Sequence, residues 1–301
     1  MVRKFKFIYL MLILFFVFGS IVGCGGGGQE RPEPKPDEKE KIPPALTTMD
    51  ESIHNLIENI EGIDDVIELK PEDIKPQEGQ QQGGQGQEEE GQSQEEGQQD
   101  GAQQSFAQQL SPEEEQEIIQ KEKDAQVLEK WESSEDELKS IHESWNEYES
   151  TALKDGADTG KIDQMENALN NLTSYIEEQD KDKVLIEANN IILSLSNFMD
   201  FYKGNVEGVL GKIEYMARQS YMDAKENNWT EAGEKAKQGE THISTLRQRA
   251  DIKEEQKPLI EKLTLSIEDL EKAIVEENLN LLEIKRDIVI KNVETLKEEL
   301  K

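Results

Sequence analysis

Between Ser111 and Lys301 the chain has only two prolines, Pro112 and Pro258, and its apolar residues recur at alternating steps of three and four. That spacing puts each set on one stripe of an α-helix. One set is Leu138, Ile141, Trp145, Tyr148 and Ala152, and another is Ile162, Met165, Leu169, Leu172 and Ile176. Leu185, Ala188, Ile192, Leu195, Met199 and Tyr202 form a third, and Ile260, Leu263, Ile267, Leu270 and Ile274 a later one. No segment alternates with the period of two that a half-buried strand shows. Ser111-Pro112-Glu113-Glu114 is a strong helix start, with a Ser cap, a proline at the first helical position and acids in the first turn. These features predict an all-helical body over 111–301.

The body matches itself at an offset of 98 residues without gaps. Trp131 falls on Trp229, Trp145 on Ile243, Tyr148 on Leu246, Met165 on Leu263, Leu169 on Ile267 and Ile176 on Ile274. Polar breaks near Trp131, Asp180, Trp229 and Asn278 recur about every 49 residues and read as the turns of four hairpins: 112–155, 158–203, 207–251 and 256–301. The expected fold is all-α, with helical hairpins in two tandem repeats of about 98 residues, about 112–203 and 207–301. A hairpin cannot bury its apolar stripe alone, so the repeats must close as a bundle or stack as a short α-solenoid.

The upstream half is organised differently. Residues 76–110 are a Gln/Gly/Glu-rich linker; between 77 and 109 there are 14 Gln, 7 Gly and 6 Glu. Such a stretch lacks the apolar surface to offset its ordering entropy and is expected to be disordered. Before it, 48–75 holds a short amphipathic helical segment with Ile53, Leu56, Ile57, Ile60, Ile63, Val66 and Ile67 on helical spacing. Gly62 and Asp64-Asp65 weaken its middle, and it can dock on the body or await a partner. Residues 24–47, with Gly25 to Gly28 and Pro32, Pro34, Pro36, Pro43 and Pro44, read as a tether.

Residues 1–23 have the layout of a signal peptide: Arg3, Lys4 and Lys6, then an apolar run from Phe7 to Phe18, then small residues and Ile21-Val22-Gly23-Cys24. The last four resemble the lipobox of bacterial lipoproteins, and Cys24 is the only cysteine of the chain. The resemblance covers about the first 24 residues. It implies cleavage before Cys24, a diacylglycerol on its thiol, and a body held at the extracytoplasmic face of the cell membrane. The alternative is an uncleaved transmembrane helix, for which the stretch from Phe7 to Gly23 is short, since a span needs roughly 20 apolar residues. A lipid on Cys24 leaves no thiol, so the fold must stand on packing alone.

The whole chain has 34 basic and 66 acidic side chains. Loss of residues 1–23 removes three basic and no acidic ones, leaving a formal charge of −35. Such a chain repels nucleic acid and anionic headgroups, so nucleic acid is excluded as a partner.

No metal, cofactor or catalytic residue is expected. The histidines His54, His142 and His242 fall into no metal-ligand spacing. The nucleophile-elbow, P-loop and dinucleotide fingerprints are absent from the sequence. Two features stand out as binding candidates. Phe198, Phe201, Tyr202, Tyr215, Tyr221 and Trp229 cluster within 32 residues and could line a groove or fill a core. Ala232, Ala236 and Gly239 form a small-residue stripe suited to a close helix approach. The expectation is a non-catalytic, lipid-anchored binding or scaffold protein. Its partners would be the membrane through Cys24 and an envelope protein or cell-wall component. The second expectation is a ligand- or cation-capturing accessory module of a membrane transport or envelope complex.

Overall fold

The computed structural model describes residues 41–70, 111–202, 206–248 and 252–300. These lie in one compact unit, Lys39–Lys301. Cys24, the tether as far as residue 40, residues 71–75 and the 76–110 linker fall outside the described residues, while residues 44–47, read in sequence as tether, belong to the first helix. The described chain is all-α, with eight helices and no strand: α1 Pro44–Glu68, α2 Pro112–Asp155, α3 Thr159–Glu177, α4 Lys181–Met199, α5 Glu207–Lys225, α6 Trp229–Arg247, α7 Lys257–Val275 and α8 Leu279–Glu299. A short 3₁₀ turn at Glu254–Gln256 leads into α7.

Helix packing closes two rings. α1 packs on α2, α2 on α3, α3 on α4, and α4 back on α1. α5 packs on α6, α6 on α7, α7 on α8, and α8 back on α5. Each ring is an up-down-up-down four-helix bundle around its own apolar core. The bundles join where α4 meets α5, and Tyr215 and Met216 of α5 reach into the first core.

The 98-residue match is visible in this geometry. α3 and α7 are both 19 residues long and start 98 apart (257 − 159). α4 and α8 also start 98 apart (279 − 181). Met165, Leu169, Leu172 and Ile176 are buried, as are Leu263, Ile267, Leu270 and Ile274. The turns follow one pattern. Gln179, Asn227 and Glu277 each take positive φ, at 52°, 63° and 50°. Asp180 N–H donates to Tyr175 O and Gln179 N–H to Ile176 O, which satisfies the carbonyls at the end of α3. Asp180 and Asn278 then cap the next helix through bonds from Lys183 N and Leu281 N.

One expected turn is absent. α2 runs unbroken for 44 residues through Trp131. Ser134, three residues beyond Trp131, is fully buried and donates to Lys130 O at 2.8 Å. The turns before Lys181, Trp229 and Leu279 carry a residue in the left-handed region followed by Asp or Asn; no such pair precedes Trp131. Helix α2 starts at the expected Ser111 cap, which the structure completes as a capping box: Ser111 N–H donates to Glu114 Oε2 at 2.8 Å and Glu114 N–H to Ser111 Oγ at 3.3 Å. It ends at Gly156, whose φ of 113° only glycine adopts freely.

The first bundle therefore needs a fourth wall from elsewhere, and α1 supplies it. α1 runs antiparallel to α2: Ser52 pairs with Ser140, Asn55 with Glu137, and Ile67 O with Lys123. Leu46, Met49, Ile53, Leu56 and Ile60 have no exposed surface. Burying each such side chain is worth about 1.5–3 kcal/mol, so α1 is integral to the bundle. Helix formation continues through Gly62 and Asp64-Asp65, because tertiary burial of both flanks outweighs weak local propensity.

Candidate functional site

Helix α1 has a second, polar stripe, Asp50, His54 and Glu61, which faces the second bundle. Opposite it on α5 is Glu214, flanked by Ile213 and Tyr215 and without any exposed surface. His54 Nε2 lies 2.9 Å from both carboxylate oxygens of Glu214. Arg218 Nε donates to Glu214 Oε1 at 3.1 Å, and Lys297 Nζ of α8 stands 3.6 Å from Oε2. Lys297 also reaches Asp50 at 3.3 Å, and Arg218 reaches Glu61 at 3.3 Å. Three cations thus surround one buried carboxylate, and the cluster ties α1 to α5 and α8.

His54 sits between two acceptors. Its Nδ1 is 2.6 Å from Asp50 O, and its Nε2 meets a carboxylate. A neutral imidazole can donate only once, so this geometry suits the doubly protonated ring. Burial alone would lower the His54 pKa, but the Glu214 carboxylate, helped by Asp50, raises it to about 8. Burial would raise the Glu214 pKa; His54, Lys297 and Arg218 instead hold it well below the usual carboxylate range. Burial opposes the charge of Lys297 too, and Glu214 with Asp50 more than restores it.

The cluster stands on equivalent positions of the two bundles. Buried residues of α1 and α5 recur at an offset of 164: Leu46 and Leu210 (210 − 46), Met49 and Ile213, Ile53 and Ala217, Ile60 and Ala224. The same offset maps Asp50 onto Glu214 and His54 onto Arg218 (218 − 54), so each bundle offers an acid and a base one helical turn apart. Sequence reasoning missed this site. Its signal was present: a charged residue, Glu214, adjoins the apolar stripe of α5.

Beside the cluster a cleft of about 630 Å³ opens between α1 and α2 on one side and α5 and α8 on the other. Ile57, Arg218 and Ile290 are its buried floor, with His54, Glu61 and Lys130 partly covered. Among the described residues, no group of three or more His, Cys, Asp or Glu side chains could hold a metal ion. No described helix is long and apolar enough to cross a membrane.

The six aromatic candidates are divided between the cores. Phe198 is buried, 5.3 Å from Trp145 and 5.6 Å from Tyr148 between ring centroids, with half-buried Phe201 beside it. Tyr202 is buried and donates to Asp155. Tyr215 is buried at the junction of the bundles. Tyr221 and Trp229 are half-buried against the second core, and Arg286 lies 4.3 Å above the Tyr221 ring. Ala232, Ala236 and Gly239 are buried in α6, with Gly239 nearest Ile267 of α7. His142 is satisfied by Thr173 at 2.9 Å.

Protein-family models, curated proteins and solved structures were all compared with the chain, and none matches it.

Proposed function

We propose that this chain is a lipid-anchored, extracytoplasmic binding or scaffold protein of the cell membrane that works without catalysis. The observation that carries the reading is Ile21-Val22-Gly23-Cys24 behind a basic and apolar leader. Two acyl chains on Cys24 would give a lasting anchor where one would bind only reversibly. Because α1 is part of the first bundle, the reach from Cys24 to the body is the stretch up to Pro44, about 70 Å at full extension. The 76–110 linker is then an excursion between two docked helices and adds nothing to that reach. An envelope protein or cell-wall component within this distance is the proposed partner.

Cys24→Ser is the test. Membrane fractionation and metabolic lipid labelling are expected to show loss of both retention and label; retention of either would overturn the anchor. A second reading, capture of a ligand for a membrane transport or envelope complex, is favoured by the cleft, whose volume lies within the range of small-molecule sites.

A further inference from the structure

The two walls of the inter-bundle cleft carry the same order of charge. On α1, Glu58, Gly62 and Asp65 follow one another on one stripe, and the ammonium of Lys130, from α2, lies against Gly62. A Cβ on Gly62 would stand 2.5 Å from that ammonium. A glycine inside a helix weakens it, and here its missing side chain makes the seat for Lys130. On α8, Asp287, Lys291 and Glu294 repeat the order: carboxylate, ammonium, carboxylate, one helical turn apart. Successive turns of a helix are about 5.4 Å apart.

These groups differ from the cluster beneath them. His54, Arg218 and Lys297 are balanced by Glu214, Asp50 and Glu61, and Asp287 pairs with Arg286 at 2.7 Å. No ion pair or hydrogen bond engages the side-chain ammonium of Lys130 or Lys291 or the side-chain carboxylate of Glu58, Asp65 or Glu294 among the described residues; Lys130 and Lys291 accept only through their backbone carbonyls, from Ser134 and Thr295. Both bundles therefore offer an uncommitted ammonium flanked by carboxylates. A purely anionic solute would meet the flanking acids, and a purely cationic one would meet Lys130 and Lys291. A solute with both signs about one helical turn apart can satisfy both. Oppositely charged groups of a bound ligand here would also bridge the two bundles.

We infer that the inter-bundle cleft binds a zwitterionic solute of dipeptide size, its anionic group between Lys130 and Lys291 and its ammonium against Glu58, Asp65 or Glu294. This deepens the ligand-capture reading and rests on it; it does not depend on the anchor.

The test is calorimetric titration of the full chain in detergent micelles with four probes: dialanine with free ends, N-acetyl-dialanine, dialanine amide and glycine. Free dialanine is expected to bind at least tenfold more tightly than each of the others. Lys130→Gln and Lys291→Gln are each expected to weaken it at least tenfold, and Gly62→Ala, which displaces the Lys130 ammonium, to weaken it several-fold. Lys291 is exposed, so its variant reports on binding without threatening the fold. No heat with any probe, equal affinity for a capped probe or glycine, or unchanged binding by both lysine variants would overturn the proposal. The titration is repeated with Cys24→Ser, so loss of the anchor and loss of the ligand site are read separately.

Discussion

The two bundles share a plan but assemble it from different chain geometry. The second takes four consecutive helices of 19 to 21 residues, 207–299, joined by short connections. The first takes three consecutive helices and then borrows α1 from across the stretch between Leu69 and Ser111. Its α2, at 44 residues, extends past the end of α1 because no turn is needed before Trp131: the helix that would precede it has been replaced from afar. Contiguity is thus dispensable for a four-helix bundle as long as the apolar wall is present. The cost is the entropy of closing a long loop, which grows only slowly with length.

The largest expected effect comes from taking that wall away. Deleting 41–70 should expose the stripe of Ile141, Trp145 and Leu172 and unfold the first bundle. Hydrogen exchange should then show α2 to α4 unprotected while α6 and α7 keep slow amides. Equal protection in both bundles of the deleted protein would mean that α1 is an accessory and the comparison fails.

Smaller losses follow from single side chains. Glu214→Leu leaves His54, Arg218 and Lys297 facing one another in a buried site, and breaking such a cluster costs about 3–5 kcal/mol. Urea denaturation should show it, and Glu214→Gln should cost less. Leu56→Ala opens a void under α1 and should cost about 2–5 kcal/mol. The corresponding position of α5 is Ser220, already small and bonded to Met216 O, so Ser220→Ala should cost about 1 kcal/mol or less.

His54 makes the joint between the bundles sensitive to pH. Its pKa rises from 6.5 to about 8 on folding. Its contribution is therefore complete below pH 6.5 and is lost as pH climbs through about 8, a fall of about 2 kcal/mol. The urea midpoint should drop across that window, and His54→Gln should flatten the drop. An unchanged slope in His54→Gln would remove this group from the joint.

The smallest effect is in the second bundle. A Cβ on Gly239 would meet Ile267 at 3.5 Å, an ordinary contact. Gly239→Ala should stabilise by up to about 1 kcal/mol through helix propensity, measured as a raised melting temperature. A destabilised Gly239→Ala would show that α6 and α7 approach more closely than this.

Much of the fold was legible because burial in a helix pair leaves a periodic trace. The stripes of α3, α4 and α7, and the turns before Lys181, Trp229 and Leu279, lie where the spacing predicts. The equivalence of Trp131 and Trp229 was legible as well, but its meaning was not. Both mark matching positions of matching helices, yet Asn227-Asn228 turns the chain before one and nothing turns it before the other. The charged cluster was hidden for a similar reason: Asp50 and His54 are separated from Glu214 by more than 150 residues, and each pair alone looks like an ordinary helix surface. The aromatic cluster was conspicuous in sequence because Phe198, Phe201 and Tyr202 are neighbours there. In space they pack with Trp145 and Tyr148, which belong to a different helix.

The all-helical character of the described chain, the 98-residue repeat of its body and the ends of most helices are written into local stretches of residues. Local propensity, capping and amphipathic period act over a few residues and can be read directly. Tertiary structure alone decided which helix closes the first bundle, that a carboxylate on α5 meets a histidine on α1, and that a cleft lies between the bundles. These depend on which apolar stripes find each other once the chain collapses, and burial has no preference for neighbours in sequence.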